Sequence, residues 1–482
     1  MLPTRKCMLR AGLVVMVSSG LVDAAPEWVL RSETGPAPRT QHAMVWDSCR
    51  NVVVMFGGYD GVQKRGYTWE WDGSEWTLRA TSGPSPRVVQ AGMGFDGNRC
   101  VTVLFGGAND AAYLNDTWEW DGTAWEQKCI SGCTPPGTRN SAAMPYDAAQ
   151  GVIVLFGGYA PGLLNDTWTW DGAAWTQLST TAPPAPRSGN ALGYDPTRER
   201  TVLFGGNLVP TICGTNSDET WELDLSTNPA TWTHNTSAPH PSPRSEIGHL
   251  VYDPTGSRML LFGGTNFCSP QPALNDTWEY SAGGTWALIS TPTAPQGRHG
   301  NDMVYDTVRQ EVVLFGGDLG PINNYEVRGD TWTFGEIDSD GDGVPDSEDQ
   351  CPETGNSVTV VINDCDTGVN NHLFVDDGCS MLDLIEECEA EATNHGGYVR
   401  CVGALARDWR QAGLISGAER GRIIRCVARV PNVPADPKAL LVIRKSIPAR
   451  PPPPPAPRSR TAGGAPRRPP PARRPTRRRW RC

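Results

Sequence analysis

At 482 residues the chain is too long for one small domain, and its 53 Gly, 42 Pro and 18 Trp fit short strands and tight turns rather than a helical bundle. The net charge of −11 is uneven: residues 451–482 hold ten Arg and no acid, leaving 32 basic against 53 acidic side chains elsewhere. The body is acidic and the tail basic, so no specific nucleic-acid partner is expected.

Residues 1–24 read as an export signal. Arg5, Lys6 and Arg10 form a basic start, and Ala11 to Val22 is an apolar stretch. About a dozen residues are too short to cross a hydrocarbon layer of ~30 Å. Val22-Asp23-Ala24 supplies the cleavage positions. No later apolar run is long enough to span, so a secreted, extracellular or cell-surface protein is expected.

Residues 25–337 repeat. An apolar run ending in a glycine doublet occurs at Gly57-Gly58, Gly106-Gly107, Gly157-Gly158, Gly205-Gly206, Gly263-Gly264 and Gly316-Gly317. A period of about 50 residues suits a four-stranded propeller blade. Each repeat opens with an Arg after a Pro/Gly-rich turn: Arg39, Arg87, Arg139, Arg187, Arg244, Arg298. A strand ending in an aromatic-Asp pair follows, such as Trp46-Asp47 or Tyr194-Asp195. The glycine-doublet strand comes next, apolar throughout as expected when both faces are buried. A Thr-Trp strand and an outer strand with one more Trp complete the unit.

The outer Trp settles how the ring closes. It appears as Trp76, Trp125, Trp175, Trp232 and Trp286, and the sixth repeat ends after Trp332 and Phe334 without one. Trp28-Val29-Leu30-Arg31 supplies the missing strand. Six blades are expected, with the N-terminal strand completing the last and only short edges left exposed. The doublet, the Pro-x-Arg start and the Trp spacing resemble the kelch family over residues 26–337. That resemblance implies an all-β propeller that binds partners through loops on one face, with a minority of enzymes that include copper oxidases.

The six Arg suggest a structural role repeated in every blade, hydrogen-bonding carbonyls of a neighbouring turn. Asp116, Asp166 and Asp276 read as turn residues before the Thr-Trp strand. His42, His249 and His299 fall at unequal offsets, which argues against a shared metal site. Loops after the glycine doublets vary most, at 207–219, 265–275 and 318–330, and variable loops on a rigid scaffold are where binding resides. The candidate ligand residues there are Asn207, Thr215, Asn216, Asp218, Asn266, Asn323, Asn324 and Arg328.

Residues 338–349 read Asp-Ser-Asp-Gly-Asp-Gly-Val-Pro-Asp-Ser-Glu-Asp. Carboxylates at positions 1, 3, 5, 9 and 12 with Gly at 6 match an oxygen cage for Ca2+. Asp338, Asp340, Asp342, Asp346 and Asp349 are the carboxylate candidates, and Val344 offers its carbonyl. Asp at position 12 departs from the usual Glu. With Cys351-Pro352 following, the segment resembles a thrombospondin type 3 repeat, which implies a structural ion in a spacer (338–378).

Residues 379–432 read as a small helical module. Ser380 with Asp383 starts one helix, Tyr398, Cys401, Val402, Leu405 and Trp409 share a face of a second, and Ser416 with Glu419 forms a capping box before a third. It resembles a Cys-containing module of exported bacterial proteins. Residues 433–482 are Pro- and Arg-rich and cannot bury a core.

The chain has 14 Cys and no pair of CxxC motifs, which fits disulfides in an oxidising compartment. Candidate pairs are Cys129 with Cys133, Cys213 with Cys268, Cys351 with Cys365, Cys379 with Cys388, and Cys401 with Cys426. Cys49 and Cys100 either stay free or pair. No His-Glu-x-x-His, Gly-x-Ser-x-Gly or phosphate loop is present. A monomeric exported protein that recognises a protein or glycan ligand is therefore expected. An exported carbohydrate-active or copper-oxidase-like enzyme and a structural envelope component are the alternatives.

Overall fold

The computed structural model describes residues 26–90, 92–209, 215–266, 273–320, 325–336, 359–363, 365–371, 373–374, 379–392 and 394–430. The chain divides into two units, Met1–Leu384 and Ile385–Cys482. The export signal, the Ca2+ loop, the tail, Cys213, Cys268 and Cys351 lie outside the described residues.

The first unit contains a six-bladed β-propeller of antiparallel sheets. Blade 1 runs inside to outside as Thr40–Asp47, Val52–Tyr59, Thr68–Trp71 and Trp76–Ala80. Blades 2, 3, 4 and 5 repeat this order, starting at Met93, Tyr146, Ala191 and Val251. Blade 4 gains a short fifth strand, Thr180–Thr181, parallel to Ala230–Asn235. Blade 6 is built from Asp302–Asp306, Glu311–Phe315, Thr331–Gly335 and the N-terminal Glu27–Ser32. Glu27 pairs with Gly335 and Trp28 with Phe334, so the first strand closes the ring as its tryptophan spacing required.

The core lies between blades. Six apolar clusters each draw on two neighbouring blades, the closing pair included. The outer Trp explains this register. Its ring packs on the Phe before the glycine doublet of the preceding blade, as in Trp125 on Phe56 (5.3 Å) and Trp28 on Phe262 (4.8 Å). Its Nε1 donates to a Thr of that same preceding blade. Trp76 bonds Thr331, Trp125 Thr68, Trp175 Thr117, Trp232 Thr167, Trp286 Thr220 and Trp28 Thr277. One indole thus contributes apolar burial and satisfies its own buried N–H.

The glycine doublets are required by close backbone approach. Gly106 and Gly107 have φ of +67° and +92°. A Cβ on Gly106 would lie 2.6 Å from the Arg139 carbonyl oxygen of the next blade, and one on Gly107 2.6 Å from the Val88 carbonyl oxygen. No other residue fits both the dihedrals and the space.

On the opposite face, the Asp of each aromatic-Asp pair caps the inner hairpin. Asp96 Oδ1 accepts from the Asn98 and Arg99 amides, and its Oδ2 accepts from Arg99 Nε at 2.7 Å. Cys49 and Cys100 are joined, linking these hairpin turns of blades 1 and 2.

After the propeller, Thr359–Ile362 pairs with Cys365–Asn370, and helix α1 spans Met381–Glu391. The second unit contains α2 (His395–Gln411) and α3 (Gly417–Val427). Ser416 and Glu419 form the capping box of α3. Cys129 is bonded to Cys133. Two pairings differ from those expected: Cys388 is bonded to Cys401 with their Cα atoms 5.7 Å apart, so neither Cys379–Cys388 nor Cys401–Cys426 forms. Cys388 lies seven residues into α1, and a rise of ~1.5 Å per residue carries it beyond disulfide reach of Cys379. Cys365, Cys379 and Cys426 are each disulfide-bonded.

Candidate binding face

The turn carrying each repeating Arg and the turn after each glycine doublet emerge together. Gly58 N donates to the Arg87 carbonyl at 2.9 Å and Gly107 N to the Arg139 carbonyl at 2.8 Å. This loop face holds the candidate ligand residues that are described.

The six Arg are structural. Each is buried at 0–2 % exposure. Each donates Nε to the carbonyl two residues back and Nη1 to the first glycine carbonyl of its doublet, as Arg139 does to Gly137 and Gly157. Asp116, Asp166 and Asp276 are more than turn residues. They accept from both terminal guanidinium nitrogens of Arg87, Arg139 and Arg244, and also from the indole N–H of Trp118, Trp168 and Trp278. Asp330 does the same for Arg298 and Trp332. Burial pushes these carboxyls up, but the Arg hydrogen bonds and charge outweigh it and hold them below the usual range. Blade 1 lacks the acid, because Tyr67 precedes Thr68.

Inside this layer the blades present a ring of main chain around the axis. Gln41 N donates to Gly300 O, Gln90 N to Gln41 O, Gly189 N to Ser141 O, Glu246 N to Gly189 O and Gly300 N to Glu246 O. Ser141 Oγ to Gln90 Oε1 (2.6 Å) completes the circuit. Gln41, Gln90, Ser141 and Glu246 hold φ of +49° to +56°, where blades 4 and 6 use Gly189 and Gly300. A side chain in that region costs on the order of 1–3 kcal/mol and persists only when its surroundings impose it. Buried polar atoms gather in the same layer: Gln90 Nε2, Ser245 Oγ and the amides of Asn190 and Asn301 have no protein partner among the described residues.

Two imidazoles stand at the ring. His299 Nδ1 meets Glu246 Oε2 at 3.0 Å and its Nε2 faces the Gly320 carbonyl at 3.3 Å. Burial pushes His299 down, but Glu246 outweighs it and raises its pKa. His249 sits deeper, against Asp302. His42 is fully enclosed and burial drives it down to about 3, so it is neutral. Tyr59 and Tyr325 meet edge to face at 4.9 Å, and Tyr325 is half exposed. Tyr113 and Tyr159 form a second such pair between blades 2 and 3.

At the closing seam, residues including Leu30, Pro36, Pro38, Gln296, Arg328 and Trp332 line a cavity of about 540 Å³. Arg328 reaches Glu326 Oε1 (2.8 Å) and Gln296 Oε1 (3.1 Å) there. The other candidates have mixed fates. Asn207 builds its own loop, accepting the Val209 amide on Oδ1, and Asn216 donates to the Thr265 carbonyl in blade 5. Thr215 is exposed, Asp218 lies 3.7 Å from His240, and Asn266 is half-buried. Asn323 and Asn324 lie outside the described residues. Sequence reasoning did not single out Tyr59, Tyr325 or Glu246, and it weighed His299 only as a metal ligand. Glu246 and His299 fall at the second and first positions after a repeating Arg, and Tyr59 and Tyr325 after glycine doublets, but what brings them together is contact between blades, which spacing does not carry.

Residues 25–206 match the family model described as the KLHDC2/KLHL20/DRC7 Kelch-repeats domain. Over those residues the repeats of the propeller are of the kelch type. A solved structure described as "Structure of YjhT" matches this chain at 15 % identity and a TM-score of 0.47, covering 62 % of this chain and 95 % of that one. No curated protein sequence matches the chain.

Proposed function

We propose that this chain is an exported binding protein whose kelch propeller recognises a ligand through its loop face. One observation carries the proposal: a tyrosine-bearing surface of variable loops stands on a scaffold whose repeated Arg, Trp and Gly residues are consumed in holding the blades. Rigid scaffolds with adaptable loops are suited to recognition. The basic start and apolar stretch of residues 1–24 and the disulfides support export. Among the described residues no helix is long and apolar enough to cross a membrane.

The spacer at 338–349 fits a hard cation, since its donor set is all oxygen with a glycine at the tight turn. Asp338, Asp340, Asp342, Asp346, Asp349 and the Val344 carbonyl would hold Ca2+, which there supplies rigidity.

The full chain, screened against a glycan array and against immobilised extracellular proteins, is expected to bind, and shortening the 207–219 or 265–275 loop is expected to abolish that binding with the melting transition kept. Binding that survives both shortened loops would overturn the loop-face assignment.

A further inference from the structure

Four loop-face residues form a corner that the scaffold does not explain. Tyr59 ends the second strand of blade 1 and Tyr325 comes from the blade 6 loop, with ring centroids 4.9 Å apart at 61°. Tyr59 is tied down by its hydroxyl, which donates to the Gly61 carbonyl at 3.0 Å. Tyr325 is half exposed. Glu246 stands beside it with φ of +54°, a strained position for a side chain that glycine fills in two other blades. His299 pins Glu246 Oε2 at 3.0 Å, and Glu246 Oε1 makes no hydrogen bond to the described residues. Asp318 lies in the same corner, its Oδ1 holding the Gly320 and Glu326 amides at 2.9 and 2.7 Å.

The charge of this corner is negative. Two carboxylates face one imidazole, and Tyr325 feels both: burial first, then Glu246, Tyr59 and Asp318, raise its pKa. The chain outside the tail carries 53 acidic against 32 basic side chains, so the longer-range field has the same sign. A half-exposed aromatic ring and an open carboxylate oxygen in one corner attract a cation. A planar guanidinium fits better than an ammonium, since it stacks on the ring while one N–H donates to Glu246 Oε1.

We propose that the Tyr59–Tyr325–Glu246 corner is a docking site for an arginine side chain presented by a basic partner protein. The inference rests on the loop-face reading above and names the chemistry that its partner presents. Glu246 is the anchor, held by His299, and Tyr325 is the stacking platform.

The test uses the full chain and two blocked tetrapeptides, acetyl-Gly-Arg-Gly-Gly-amide and its citrulline counterpart, which has the same shape without charge. Titration calorimetry is expected to show the arginine peptide binding at least tenfold more tightly than the citrulline peptide, with the difference shrinking at high salt. Glu246→Gln and Tyr325→Ala are each expected to weaken it about tenfold. Tyr325 is half exposed, so its variant tests the corner even where Glu246→Gln perturbs the ring. Asp110→Ala removes an exposed acid of the neighbouring loop and is expected to change nothing. Equal binding of the two peptides, no binding at millimolar concentration, or equal loss in Asp110→Ala overturns the proposal. A neutral saccharide whose binding is lost in Tyr325→Ala would reassign the corner to a glycan and overturn it as well. Loss of a loop-face partner on shortening 207–219, with Tyr325→Ala without effect, would sink this inference and leave the loop-face reading standing.

Discussion

His249 and Asp302 join neighbouring blades by a buried ion pair that also reaches across the axis. The imidazole Nδ1 donates to Asp302 at 2.9 Å, and Nε2 donates to the Met93 carbonyl at 3.1 Å. Met93 opens blade 2, opposite blade 5 in a ring of six. Asp302 also accepts the Met44 amide (2.8 Å) from blade 1 and the His249 and Met303 amides. Both partners of the imidazole are acceptors, so the ring carries two protons and a positive charge.

The pair predicts a pH window of stability. Burial alone would lower His249, but Asp302 raises it above its usual value. Burial alone would raise Asp302, but His249 and the backbone amides lower it. The His249 contribution is complete below about pH 6.5 and is lost as pH rises through its raised folded value. The Asp302 contribution is complete above about pH 3.9 and is lost as pH falls through its depressed value. Urea midpoints are expected to be highest between these limits. His299 is raised in the same sense and adds to the alkaline limb. His249→Gln leaves Asp302 buried and is expected to cost about 3–5 kcal/mol near pH 5, with a flatter alkaline limb. An alkaline limb identical to the parent's would assign it elsewhere.

Blade 1 carries a repairable defect. Arg39 bonds the Ala37 and Gly57 carbonyls but has no carboxylate, and burial with the nearby Arg65 lowers it to about 10. Trp69 Nε1 is buried without a partner, whereas its counterparts bond Asp. Tyr67→Asp places one carboxylate against both. It is expected to stabilise the propeller by about 1–3 kcal/mol, less the stacking of Arg65 on Tyr67. Asp116→Asn should move the other way, by about 3 kcal/mol, because Arg87 then lies buried and unpaired. Thermal melts of both variants decide this; a destabilised Tyr67→Asp would show that blade 1 is built around the tyrosine.

The blade number and its closing strand were legible because each blade repeats its contacts. Gly106-Gly107, Trp118 and Trp125 recur at fixed spacing, and Trp28 was the one outer Trp with no doublet before it. The capping box at Ser416 was legible for a similar reason, since its two bonds are local. Glu246, Tyr325 and His249 were not, because their partners lie in other blades and each occurs once. Cys388–Cys401 was missed because the pairing depends on how two helices lie together, which spacing does not carry.

Trp28 is the clasp of the ring. It is buried at 2 % exposure, packs on Phe262 and Phe334, and donates to Thr277 in blade 5. Trp28→Ala is expected to cost about 3–5 kcal/mol and to leave the Thr277 hydroxyl without its donor. Trp28→Phe keeps most of the apolar burial and is expected to lose about 1–2 kcal/mol. Hydrogen exchange should show the extra opening in blades 5 and 6 first. Equal exchange in all six blades would mean that the ring opens as one unit.

The spacer predicts a separable metal effect. Calorimetry on the full chain is expected to find one Ca2+ with a Kd of about 10⁻⁴ to 10⁻³ M, the range of extracellular oxygen-ligand modules. Asp340→Asn with Asp342→Asn removes two carboxylate charges from the cage and is expected to weaken the ion at least tenfold. Proteolysis between residues 338 and 351 should slow when Ca2+ is added to the parent and not to the variant. Propeller melting should be the same in both, because its described contacts are all made without residues 338–349. A Ca2+-dependent shift in propeller melting would move the ion from spacer to fold and would refute a purely local role.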